Sequence, residues 1–181
     1  MDRRDMIRSL SATLALPFVG TVDDALAIGD AVHRSIPANT AYRGLDPAEQ
    51  QLVTLLADRI LPATATPGAL DVEVPAFIDL LVTEWYEPAD ADVFRSDLAA
   101  IDARARAAHG AGFASLSEDL QLELMRELDG GGGADRPAER GFRQVKSLTV
   151  FGYFTSERVS KEVLRSAIIF ANYDGCAPVS G

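Results

Sequence analysis

The chain has 181 residues, 48% of them hydrophobic and 24% charged, which suits one globular domain with at most a short appendage. A chain of this size buries roughly 70% of its unfolded surface, so it needs no disulfide framework, and its single cysteine supplies none. Seventeen basic against 27 acidic residues give a net charge of −10, which argues against a nucleic-acid partner, while two histidines and one cysteine leave few ways to build a metal site.

The N-terminus reads Met1-Asp2-Arg3-Arg4-Asp5-Met6-Ile7-Arg8, followed by an uncharged and mostly apolar stretch from Ser9 to Gly20. A basic head before a short apolar run has the layout of an export signal. The apolar run is shorter than the ~18 residues a membrane span requires. The Arg3-Arg4 pair, followed by Met6, Ile7 and Arg8, resembles a twin-arginine signal, although Asp2 stands where that motif prefers Ser or Thr and Met6 where it prefers Phe. Ala25-Leu26-Ala27 offers small residues at cleavage-site spacing, so residues 1–27 are assigned to the signal and 28–181 to the body. The competing reading is an amphipathic N-terminal helix with exposed arginines. Periplasmic localisation follows from the signal reading.

Downstream the chain punctuates itself in helical units. Asp46-Pro47-Ala48-Glu49 has the pattern of a capping box, with Pro at the first helical position. Leu52, Leu55, Leu56 and Ile60 then share a face, and Pro62 stops the run. Pro67-Gly68 is a turn. Pro75 opens a second helix with Ile78, Leu81, Val82 and Trp85 on one stripe, and Pro88 is expected to end it. Asp90 is expected to cap a longer helix carrying Phe94, Leu98, Ile101, Ala105 and Ala108, closed by Gly110 and Gly112.

Ser117 caps the next helix, whose buried stripe is Leu120, Leu124, Met125 and Leu128. The glycine-rich stretch 130–134 is a flexible break. A further helix is expected from Pro137 to Gly152, carrying Phe142, Val145, Leu148 and Thr149. A last one follows over Glu157–Arg165, capped by Thr155 or Ser156, and the tail covers 166–181. Ile168-Ile169-Phe170 would make at most one short extended segment, and sustained period-two alternation is absent. The fold class is therefore all-α: one irregular domain of five to seven helices with Pro- and Gly-rich connections.

Chemistry is sparse. Gly130–Gly133 lacks the Lys-Ser/Thr of a phosphate loop and no strand precedes it. With no Gly-x-Gly-x-x-Gly and no Cys-x-x-Cys-His, no catalytic, cofactor-binding or metal residue is assigned to this chain. His33 and His109 lie far apart without ligand-spaced partners, and His109 suits the carbonyl end of its helix. The carboxylates Asp90, Asp92, Glu118 and Asp119 sit at helix starts, where capping accounts for them. Phe151, Tyr153 and Phe154, with Trp85 and Tyr86, read as core or protein contact ahead of a sugar platform. In an exported protein, Cys176 either stays a free thiol or forms an intersubunit disulfide, and both stay open.

Three stretches together resemble the gluconate 2-dehydrogenase subunit 3 family. They are Ile60-Leu61-Pro62-Ala63-Thr64-Ala65-Thr66-Pro67-Gly68-Ala69, Leu148-Thr149-Val150-Phe151-Gly152-Tyr153-Phe154-Thr155-Ser156-Glu157, and the tail Tyr173-Asp174-Gly175-Cys176. The resemblance implies a non-catalytic small subunit of a periplasmic sugar or polyol dehydrogenase complex. Its partner would be a flavoprotein of the glucose–methanol–choline type that holds the FAD, bound one-to-one, with a cytochrome c subunit or another acceptor taking the electrons in many such complexes. The small subunit would support folding, stability and export of that partner. The expected contacts are Phe151, Tyr153, Phe154, Ser156, Glu157 and Tyr173, with Cys176 as the candidate bridge. The readings weighed against this one are a stand-alone periplasmic sugar-binding protein or enzyme, and a transient export chaperone.

Overall fold

The structure is a computed structural model that describes residues 22–36, 44–130 and 136–164. Among the described residues seven helices follow in order: α1 (Val22–Ser35), α2 (Pro47–Ile60), α3 (Val74–Glu84), α4 (Pro88–His109), α5 (Glu118–Gly130), α6 (Pro137–Thr155) and α7 (Glu157–Glu162). Two single 3-10 turns, Leu70–Val72 and Phe113–Ser115, lie in the connections, and no strand occurs among the described residues. The all-α expectation holds. Among the described residues, no helix is long and apolar enough to cross a membrane.

The start of α2 follows its local chemistry. Asp46 Oδ1 accepts from the Ala48 and Glu49 amides at 2.8 and 2.9 Å, and Glu49 Oε2 accepts from the Asp46 amide at 2.8 Å. These bonds satisfy donors that a helix start otherwise leaves open. Leu52, Val53, Leu56 and Ala57 turn inward. The strongly apolar α3 is buried along its whole run from Val74 to Val82, as a helix without a polar face must be.

The α3–α4 corner corrects the sequence reading. Pro88 does not end α3, which stops at Glu84 with Trp85 as its cap; it opens α4 at the first helical position. Pro lacks the N–H that would be unsatisfied there, so the same residue serves as stop or start, and here it starts. Glu87 holds the cap position in extended backbone, and Asp90 lies inside the first turn, not at the cap. Trp85 leaves the expected buried stripe and is 38% exposed. Phe94, Leu98, Ile101 and Ala105 of α4 are fully buried as expected, whereas Ala108 faces solvent. Gly110, at φ +75°, closes α4 by donating its amide to the Arg106 carbonyl.

Helix α6 is the axis of the molecule: each of the other six helices packs against it, α4 most extensively. Its side chains Phe142, Val145, Leu148, Phe151 and Tyr153 are all buried. Where α4 and α6 approach, Gly141 leaves no space for a Cβ, which would lie 2.9 Å from Asp97 atoms. Beside it Arg140 donates twice to the fully buried Asp97 carboxylate, at 2.6 Å each. α6 runs three residues beyond Gly152, so Ser156 and not Thr155 caps α7, and α7 ends at Glu162, short of Arg165.

Candidate partner interface

The segment Leu148–Glu157 and the turn Pro62–Gly68 are brought together in space. Phe151 points into the core, edge-on to Phe77 with ring centres 5.6 Å apart. Gly152 lies against the same ring, and a Cβ there would come within 2.7 Å of Phe77. Tyr153 reaches the other way, donating its hydroxyl to the Pro67 carbonyl at 2.8 Å. Phe154, half-buried, stands edge-on to Tyr153 at 5.2 Å.

The turn itself is tightly held. The Ala69 amide donates to the Leu61 carbonyl, the Thr64 amide to the Thr66 carbonyl, and the Gly68 amide to Asp71 Oδ2 at 2.7 Å. Gly68 is required by proximity, since a Cβ would come within 2.4 Å of the Ala63 amide nitrogen. Pro62 to Thr66 are nevertheless exposed, and the neighbouring Leu70 is 43% exposed. Arg158 of α7 donates to the Asp71 carbonyl at 3.3 Å, so α7 borders this same surface. The result is an exposed, uncharged loop of small residues, pinned at its base by the central helix.

The carbonyl end of α6 is closed by the chain itself. The Ser156 amide bonds the Tyr153 carbonyl, which leaves the Gly152 carbonyl without its usual helical donor. His33 of α1 fills that role, with Nε2 2.8 Å from the Gly152 oxygen. A carbonyl only accepts, so Nε2 carries the proton. The imidazole also lies 4.7 Å from the Phe77 ring centre, and burial pushes its pKa below the usual value despite the Gly152 bond and the nearby Asp30 and Glu73.

Of the residues expected to meet a partner, Phe151, Tyr153 and Ser156 are buried in this chain. Ser156 Oγ accepts from the Val159 amide and donates to the Tyr153 carbonyl. Phe154 is partly accessible. Glu157 is exposed and bonded to Lys161, which holds its carboxyl below the usual range. Arg3, Arg4, Tyr173, Cys176 and Ile168-Ile169-Phe170 lie outside the described residues. His33 and the Pro67 carbonyl were not singled out as partners from the sequence, because nothing local ties them to positions 119 and 86 residues away.

Among the described residues, no three His, Cys, Asp or Glu side chains gather in a metal-binding arrangement. The buried carboxylates have structural partners: Asp97 takes Arg140, and Asp79 accepts from the Gly44 and Leu45 amides. These features define an all-helical protein built on one central helix, with a Pro–Gly loop drawn against that helix's end. The family model for gluconate 2-dehydrogenase subunit 3 matches residues 47–170, from the start of α2 onward, and the chain belongs to that family. Membership implies a small subunit of a dehydrogenase complex. No curated protein and no solved structure matches the chain.

Proposed function

We propose that the chain is the non-catalytic small subunit of an FAD-dependent sugar, polyol or glycoside dehydrogenase complex. Its partner is a catalytic flavoprotein of the glucose–methanol–choline type, bound one-to-one, which passes its electrons to a cytochrome c subunit or another acceptor. The observation that carries this reading is the family match over residues 47–170. The Arg3-Arg4 start supports export to the periplasm, the small subunit taking its folded, flavin-loaded partner with it. Function then resides in association, and obligate interfaces of this kind bury more than ~2,000 Å². The exposed Pro62–Thr66 loop with Leu70, Phe154 and Glu157 is the surface offered to the partner.

Co-expression with a candidate flavoprotein, followed by pull-down on this chain from the periplasmic fraction, tests the reading. A yellow partner in the wild-type eluate is expected, with both chains retained in the cytoplasm in the Arg3→Lys/Arg4→Lys variant. A colourless chain recovered alone, indifferent to the double substitution, would overturn it. A band at the summed mass on a non-reducing gel, lost on reduction and in Cys176→Ser, would assign the intersubunit bridge.

A further inference from the structure

The sequence offers Ala25-Leu26-Ala27 as a cleavage-type site, yet the structure places all three residues in the first two turns of α1. Proteolysis selects exposed, irregular chain; Ala27 is exposed but helical, and Ala25 is only 3% exposed. Helix α1 is held at several points. Val32 is fully buried, His33 closes the Gly152 carbonyl, and Gly29 packs so tightly on Thr155 that a Cβ would come within 2.7 Å of its side chain. A cut after Ala27 would strip six of fourteen residues from this helix, including the buried Ala25. A helix cut to about two turns loses much of its cooperativity and its docking surface.

We infer that residues 22–27 are a permanent part of the folded domain, and that the export leader ends before Val22. Ala25-Leu26-Ala27 is then not a processing site. The inference depends on the export reading only for the position of the leader, since the docking of α1 rests on its own geometry. It also means that the helix nearest the leader is the one that closes the Gly152 end of α6.

Two measurements on the full chain test it. The first is the intact mass of the chain recovered from the periplasm with its native leader. A mass that retains residues 22–27 is expected, and a chain beginning at Ile28 overturns the inference. The second is limited proteolysis of the full chain with a protease that cuts after small residues, products being mapped by mass. Wild type should resist cleavage after Ala25 and Ala27, with Gly29→Val cut there about tenfold faster or more, relative to cuts within α4. Equal rates at Ala25 and Ala27 in the two proteins overturn it. If the chain never leaves the cytoplasm, the export reading fails, and the proteolysis still decides the place of α1.

Discussion

The Tyr153 hydroxyl donates to the Pro67 carbonyl at 2.8 Å, tying the end of the central helix to a turn 86 positions away. That bond is the one side-chain link by which α6 holds the Pro62–Gly68 loop among the described hydrogen bonds. Tyr153→Phe keeps the ring and removes only the donor. It should lower stability by about 1 kcal/mol, the usual value of one such bond. Urea unfolding measures the loss, and limited proteolysis should place the first new cuts within Pro62–Gly68.

Gly152 is fixed by a close approach, not by backbone conformation, since it is helical with Phe77 against it. In an exposed helix Gly→Ala would stabilise. Here the added methyl meets the fully buried Phe77 ring at 2.7 Å, and the ring is itself wedged against His33 and Phe151. Gly152→Ala should therefore destabilise by about 1–3 kcal/mol, as overpacking does. Thermal unfolding with a higher Tm in Gly152→Ala than in wild type would contradict the packing described.

Asp97 has no solvent exposure, and Arg140 supplies its two charged donors. Removing Arg140 alone strands a buried carboxylate. Such losses run to about 3–5 kcal/mol, and the 42% exposure of Arg140 places this one toward the lower end. Arg140→Met should therefore destabilise more than the double variant Arg140→Met/Asp97→Leu, in which no buried charge remains at that site. Denaturant midpoints of wild type, both single variants and the double variant form the cycle that measures the coupling.

How much of this was legible in the sequence depends on the range of the interaction. The capping box at Asp46–Glu49 and the Phe94–Leu98–Ile101–Ala105 stripe are set within one or two helical turns, and both stand as read. Proline both ends and begins helices, so the sequence alone leaves Pro88 open, and the choice rests on how α3 and α4 each pack on α6. The aromatics after Leu148 posed a harder problem. Helical periodicity shows that they share faces, but not whether a face meets this chain or another. Phe77 takes Phe151 and Pro67 takes the Tyr153 hydroxyl, and each lies tens of residues away. Helix α1 was obscured for a different reason: its alanines suit a cleavage site and a close-packed helix equally well.

His33 gives the fold a definite pH response. Burial lowers its pKa below 6.5, so between the folded and unfolded values the unfolded chain binds the extra proton. Stability from this group is fully present above pH 6.5 and falls as the pH drops through that value toward the lowered one. The loss levels off below the folded pKa. Protonation keeps the Nε2–H bond to Gly152 but buries a charge away from water, so desolvation, not loss of the bond, sets the direction. His33→Gln retains a side-chain N–H donor and cannot titrate. Wild type should lose Tm between pH 7.5 and pH 5.5 more steeply than His33→Gln, with the difference closing at pH 8. Parallel Tm profiles for the two proteins would mean that His33 is not buried against Phe77 in solution, and that α1 does not dock as described.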